Sequence, residues 1–396
     1  VVGSCNENIE FLFRLNIKRD STVTDTPELF DGHAYCFPDV RKLMGFPSIE
    51  QQQIHVQKAI ANHHVQPWRT SNHGPGSTST LMDTTKWPSD GALNDVNFRP
   101  TSHGRYEWTV DGEDYVKQYF PPSIADMSYS ADNLIAEMDY ANVTGTILHR
   151  NPYLGLGNDF IADCVQQYPE RLYGLAHVPE WTVEDDPETA ARSVERAVNE
   201  QGLSGMQFLI SQIHLYGKNP DWTSDGYAPF WDRFVELGAP LFLSFSINEP
   251  KRDPWLDNYY VELQRLTKWM QRYPDSQVVM THGFQWNLFG KDGKYALPDE
   301  LWVPYENPNL KLQFLFAIAL GGTFDFPLPQ ATPIVKQLVS HIGADRLMWG
   351  TDMPIVMRHW TYQQNIDFVV KYCDFLSKGE LALIMGGTTK KLLGIE

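Results

Sequence analysis

The residues of this chain that could do chemistry recur at one kind of place, the end of a short apolar run. Arg346-Leu-Met-Trp-Gly-Thr-Asp352-Met-Pro354 carries an aspartate, and Gln277-Val-Val-Met-Thr-His282-Gly283 has the same form with a histidine. Leu29-Phe-Asp31-Gly-His33 carries both kinds of group, and two further runs end in His149 and in His177, the latter followed by Glu180. Gln207, Ser244, Ser246 and Gln313 stand at the remaining run ends. Singly, an Asp in such a place caps a turn, and a His packs with its nitrogens hydrogen-bonded. Together, imidazoles and a carboxylate suit a divalent Zn, Mn or Fe ion, which can deliver hydroxide at neutral pH.

Those groups share a surface only if the runs are parallel strands of one sheet. Gly350 and Pro354 end the last run, as expected of a strand buried on both faces. Upstream, helix patterns alternate with strands. Helix 131–141 leads to Gly145–His149, 157–168 to Leu172–His177, 187–201 to Gly205–Ile210, and 228–237 to Pro240–Ser246. Helix 259–273 leads to Val278–Met280, a helix near 298–305 to Leu310–Phe316, and 332–342 to Leu347–Trp349. Helices 361–377, 380–386 and 388–394 follow. Helix 187–201 is well signed, with Asp185 and Asp186 before Pro187 and Gly202 at its exit. Counting from Leu29, eight βα repeats predict an α/β fold of the (β/α)8 TIM-barrel type. An open doubly wound sheet is disfavoured because no Gly-rich phosphate turn follows the first strand. The chemistry then lies on the carboxyl-terminal rim.

Residues 1–27 read as an N-terminal arm and 28–396 as the barrel. The stretch 39–128 is too long for a loop and reads as a lid subdomain inserted after strand one. It contains a helix-like segment from Ile49 to Val65 and a hairpin turn at Asp111-Gly112. His63, His64 and His73 lie within it, as surface or lid residues.

A charge of −17, from 32 basic and 49 acidic residues among 396, disfavours nucleic acid and anionic membranes as partners. No apolar run approaches the ~18 to 20 residues of a membrane span, and no secretion signal is evident. Four scattered cysteines, Cys5, Cys36, Cys164 and Cys373, fit a reduced, cytoplasmic chain. Arg150 and Arg358 stand near strand ends, where each could clamp a substrate carboxylate or bridge to a neighbouring acid. Trp286, Trp349 and Trp360 either wall an aromatic pocket or pack.

Asp31-Gly-His33, the Tyr273-Pro-Asp…His282-Gly segment and Ala344-Asp-Arg-Leu-Met-Trp-Gly-Thr-Asp352-Met-Pro resemble the amidohydrolase superfamily. The similar branch is that of the 2-amino-3-carboxymuconate semialdehyde decarboxylase-like proteins, and Ile384-Met-Gly-Gly-Thr-Thr-Lys-Lys-Leu-Leu-Gly resembles its closing helix. The resemblance implies a metal-dependent enzyme that hydrolyses or non-oxidatively decarboxylates a small carboxylate. It implies one divalent metal, zinc first, with manganese or iron as alternatives. His33 and Asp352 become metal positions, with His282 either a third ligand or the group poised beside the metal, and Asp352, His282 and His177 are the catalytic candidates. Arg150, Arg358, Trp286 and Tyr35, from their places near strand ends, are the candidates to face the substrate. Two positions depart from the pattern. Tyr35 stands where a second strand-one His is usual, and strand five offers only Ser244 and Ser246 where a His ligand is usual. Side chains two apart on a strand share a face, so Tyr35 is expected to point with His33 toward the barrel axis. Some relatives are subunits of heteromeric non-haem metal oxygenases, 2-aminoisobutyrate hydroxylase being an example, which makes an oxygenase subunit the alternative. A non-catalytic binding protein is a third reading. A homo-oligomer, or a hetero-oligomer with a second amidohydrolase-like chain, is expected.

Overall fold

The computed structural model describes residues 27–245 and 255–395. The N-terminal arm, apart from residue 27, and Ser246 lie outside the described residues.

Eight parallel strands form one sheet in chain order: β1 (Leu29–Ala34), β2 (Val143–Leu148), β3 (Leu172–Ala176), β4 (Gly205–Leu209), β5 (Leu241–Ser244), β6 (Val278–Met280), β7 (Leu310–Phe314) and β8 (Leu347–Trp349). The sheet closes at the rim. Past the end of β8, Met353 O accepts from Tyr35 N at 2.7 Å and Asp352 N donates to His33 O at 2.8 Å. The fold is the (β/α)8 barrel expected from the repeats.

Phe30, Ile147, Leu175, Phe242, Val279 and Met348 form an apolar plug inside the barrel. Two residues further along their strands, and hence on the same face, come Gly32, His149, His177, Ser244, Thr281 and Gly350. The interior thus changes from hydrocarbon to polar groups in one layer, at the carboxyl-terminal end. Gly32 is required there, because a Cβ would stand 2.8 Å from Trp349 O and 3.1 Å from Gln313 Nε2. The larger core lies between strands and helices.

The helix between β1 and β2 that abuts the barrel covers Ala131–Ala141, with the Ser130 side chain accepting from Asn133 N. Helix Pro187–Asn199 starts as expected, with Pro187 in its first turn and the Asp186 side chain accepting from Thr189 N. The expected helix near 298–305 is instead two 3-10 turns, Asp299–Leu301 and Val303–Glu306. Pro304 has no N–H to give a continuous α-helix. The closing helices are one interrupted run, with a wide turn at Leu383–Gly387 between Lys378–Ala382 and Thr388–Leu393. A Cβ at Gly386 would meet Phe30 Cβ at 2.9 Å, so this glycine lets the run dock on β1.

Within 39–128, helix α1 (Ile49–Asn62) precedes a four-stranded antiparallel sheet made of Trp68–Arg69, Glu113–Gln118, Arg105–Val110 and Arg99–Pro100. The hairpin turn falls at Asp111 (φ 50°) and Gly112 (φ 81°), both left-handed as a tight hairpin requires. Buried Lys117 donates to Ile60 O at 2.7 Å and His63 O at 2.6 Å, capping the end of α1. Among the described residues no helix is long and apolar enough to cross a membrane.

Candidate metal centre and its cavity

At the rim, β1 and β8 are held together by one buried carboxylate. Asp31 accepts from His33 N (2.9 Å), Thr351 N (3.0 Å), Thr351 Oγ1 (2.5 Å) and Tyr362 Oη (2.7 Å). Burial pushes its pKa up to about 6 despite those donors. This junction sets the spacing between His33 and Asp352.

The protonation of His33 follows from its neighbours. Gln313 Nε2 lies 2.5 Å from Gly32 O, a contact only a donor can make, so Gln313 Oε1 is the atom 2.6 Å from His33 Nδ1. Nδ1 therefore carries the proton and Nε2 a lone pair. Burial, then the charges of His149 and His282, hold the imidazole well below its usual pKa, so it is neutral. His149 stacks on it, with ring centres 3.5 Å apart and planes at 10°, and its own Nε2 donates to Gly32 O at 3.0 Å.

Asp352 and His282 are presented on strained backbone. Both are non-glycine residues in the left-handed region, at φ 69° and 63°, just past β8 and β6. Such conformations are uncommon and gather at functional sites. Asp352 Oδ1 lies 3.4 Å from His33 Nε2 and 3.5 Å from His282 Nε2. One donor atom of each residue falls within 4.8 Å of the others.

Two features show that this trio fits a divalent ion. His33 Nε2 and Asp352 Oδ1 are both acceptors and stand 3.4 Å apart, a pair that a cation between them would satisfy in place of the Tyr35 hydroxyl that donates to Nε2. Donors about 2.0–2.1 Å from a tetrahedral ion stand about 3.4 Å apart, and the two printed separations, 3.4 and 3.5 Å, match that edge. The Tyr35 hydroxyl lies 2.9 Å from His33 Nε2 and takes its lone pair. Tyr35 thus turns inward with His33. Burial raises the Asp352 pKa, with His282 acting the other way.

The trio sits beside a cavity of about 390 Å³. Tyr35, His282 and Asp352 line its floor, and Tyr119, Tyr153 and Trp286 are among its walls. His63, His64 and Arg358 line it as well, the two histidines reaching in from beyond α1. Ser244 also lines it, whereas His73 is exposed elsewhere on the insertion.

Several candidates stand elsewhere. His177 is sealed against Glu180, Nε2 to Oε2 at 3.2 Å, while Glu180 Oε1 accepts from Leu209 N at 2.8 Å; neither side chain lines the cavity. Arg150 is buried and its Nη2 donates to Gly155 O (3.1 Å) and Gly157 O (2.6 Å). Burial lowers its pKa to about 10, and it bridges backbone carbonyls, neither of the two roles expected of it. Trp349 and Trp360 pack, against Tyr362 and Phe326 respectively. The orienting role of Gln313 and the walls Tyr119 and Tyr153 carry no sequence signal of their own.

Comparison with known proteins places this geometry in context. An amidohydrolase family model matches residues 101–395. Gamma-resorcylate decarboxylase of Polaromonas sp. is 26% identical over 257 residues, which cover 56% of this chain and 70% of the relative. The 2-amino-3-carboxymuconate-6-semialdehyde decarboxylase of Dictyostelium discoideum is 25% identical over 255 residues, covering 60% of this chain and 66% of that one. Among solved structures, 5-carboxyvanillate decarboxylase of Novosphingobium aromaticivorans, complexed with manganese and 4-hydroxy-3-methoxy-5-nitrobenzoic acid, superposes with a TM-score of 0.55. At 15% identity, covering 94% of this chain and 97% of that chain, it shows a shared fold.

Proposed function

We propose, from the premise that the chain belongs to the amidohydrolase family, that this enzyme non-oxidatively decarboxylates a small aromatic or unsaturated carboxylate with one divalent metal ion. The observation that carries the reading is the convergence of His33 Nε2, His282 Nε2 and Asp352 Oδ1 beside an aromatic-walled cavity. Decarboxylase relatives support the reaction class. A divalent ion held there acts as a Lewis acid toward substrate oxygens.

The residues then divide the work. Gln313 and His149 fix the His33 ring, and Asp31 fixes the two strands that carry His33 and Asp352. His282 is the open member of the trio, its side chain 36% exposed against 0% and 6% for the others, so it reaches the ligand. When the bond to the carboxyl carbon breaks, its electron pair stays on the substrate carbon, carbon dioxide leaves, and a proton must arrive. Tyr119, Tyr153 and Trp286 present flat apolar faces to a planar substrate and keep water away. The segment 39–128, which supplies His63, His64 and Tyr119, acts as a lid.

A second reading has its own observation. Two histidines and one carboxylate are the donor set of non-haem iron oxygenases, so an oxygenase subunit remains the alternative. One experiment addresses both. Protein reconstituted with Mn²⁺ is incubated in deuterated water with a panel of carboxyl-¹³C aromatic acids, starting with 2,6-dihydroxybenzoate. Labelled bicarbonate together with deuterium at the vacated carbon supports decarboxylation. No release from any acid, with dioxygen consumed by the Fe²⁺-loaded protein, would overturn it in favour of the second reading.

A further inference from the structure

Across the mouth from the trio, the loops carry polar groups that the protein leaves unmatched. In a ring of eight strands in chain order, β4 lies opposite β8. The short helix Ile210–Leu215, which begins where β4 ends, therefore stands across from Asp352. Its Gln212 is 5% exposed and lines the cavity. Gln212 Oε1 is buried without a hydrogen-bond partner, and Nε2 reaches only Ser211 Oγ, at 3.4 Å. Asn151, in the loop after β2, is 9% exposed and lines the same cavity. Its Oδ1 is also buried without a partner. It stands at the N-cap of the 3-10 turn Pro152–Leu154, where an Asn side chain ordinarily caps, yet it makes no capping bond.

Other buried amides of this chain are used at both ends. Gln313 accepts from His33 Nδ1 and donates to Gly32 O. Gln52 Oε1 accepts from Met44 N at 2.7 Å while its Nε2 donates to Lys42 O at 2.7 Å. An unmatched buried polar atom costs the folded chain stability. Two of them on one wall of one cavity are accounted for if a ligand supplies the missing partner. Neither group is charged, so neither offers a counter-charge to an ion. The last torsion of a carboxamide is soft, and each can turn its oxygen or its NH2 toward a ligand. A hydroxyl, which both gives and accepts a hydrogen bond, satisfies either orientation.

We propose that Gln212 and Asn151 are specificity-determining residues, kept unpaired in the free protein to receive an uncharged hydrogen-bonding substituent, a hydroxyl, on the side of the ligand away from the trio. The inference rests on the trio as the reacting end only for the direction in which the ligand lies.

The test uses Gln212→Met and Asn151→Leu, which keep the size of each side chain and remove its polar atoms. Without metal or ligand, each variant should unfold at the parent's temperature or up to about 2 °C higher, because an orphan is removed and no bond is lost. The Mn²⁺-loaded proteins are then titrated calorimetrically with benzoate, 3-hydroxybenzoate and 4-hydroxybenzoate, metal content being measured alongside. The parent should bind one hydroxybenzoate at least about fivefold tighter than benzoate. Each variant should lose about two- to tenfold of that preference and the double variant all of it, with affinity for benzoate and metal content kept. A variant that unfolds several degrees below the parent would show that its amide holds the fold, and would overturn the inference. So would a parent that binds none of the acids or prefers neither hydroxybenzoate, or a preference that survives in the double variant. Failure of the proposed reaction looks different: the parent would hold no Mn²⁺ or release no carbon dioxide. A hydroxyl preference abolished in the double variant would then still establish the two amides as the selecting groups.

Discussion

Gln313→Leu tests whether a residue that touches no ligand governs the metal centre. In the parent, the Gln313 amide accepts from His33 Nδ1 at 2.6 Å and donates to Gly32 O at 2.5 Å. Leucine fills much of the same volume and does neither. Gly32 O keeps its other donor, His149 Nε2 at 3.0 Å, so it is not stranded. His33 Nδ1 has no second partner and its side chain is fully buried. An unmet buried donor costs about 1–3 kcal/mol, which the ring can escape by moving its proton to Nε2. There the proton points at Asp352 Oδ1, 3.4 Å away, and the lone pair that would bind metal is gone. Loss of an outer partner of a metal-bound His costs about 10- to 100-fold in affinity, or about 1.4–2.8 kcal/mol, so the two estimates agree. The assay is titration of metal-free protein with Mn²⁺ against a competing chelator, with thermal unfolding to verify that the variant is folded. Gln313→Glu is the control, since it keeps an acceptor opposite Nδ1 and should bind metal at least as well as the parent. Parent-like affinity in a folded Gln313→Leu protein would refute the reasoning.

Asp352→Asn keeps the shape of the side chain and removes its charge, so reconstituted protein should retain little metal by elemental analysis. Tyr35→Phe removes the hydroxyl that occupies the His33 lone pair. Metal affinity should rise by up to about tenfold, one net hydrogen bond, whereas a fall would show the phenol to be a ligand. Asp31 is pushed from 3.8 to about 6 by burial, so the folded chain binds this proton more tightly than the unfolded chain. Its contribution to stability is fully present below about pH 4 and lost as pH rises through about 6, about 3 kcal/mol in all. Urea unfolding of metal-free parent and Asp31→Asn should diverge across that window; parallel curves would contradict the assignment.

The barrel was legible because its signals are local. The apolar runs, the Asp186-Pro187 start and the Asp111-Gly112 turn each dictate backbone conformation within a few residues. The trio was legible for a related reason: parallel strands put their ends on one rim, so His33, His282 and Asp352 could be placed together from strand order alone. What decides between a ligand and a packing residue is not local. His177 stands at a strand end like the others, yet Glu180, three residues on, captures it. Arg150 follows its strand as a clamp would, but the loop turns back and offers Gly155 O and Gly157 O. The helix expected near 298–305 failed at Pro304, a breaker present in the sequence and outweighed there by pattern. The contribution of His63, His64 and Tyr119 to the cavity depends on how the insertion folds back, which no short stretch encodes.

The central claim is that His33, His282 and Asp352 together hold one divalent ion. Its most direct test is elemental analysis of protein reconstituted with Mn²⁺, Zn²⁺ or Fe²⁺ and freed of excess by gel filtration. Parent protein should carry about one ion per chain, and His33→Ala, His282→Ala and Asp352→Asn should each carry close to none while remaining folded. A parent that holds no ion of any of the three metals, or folded variants as fully loaded as the parent, would contradict it.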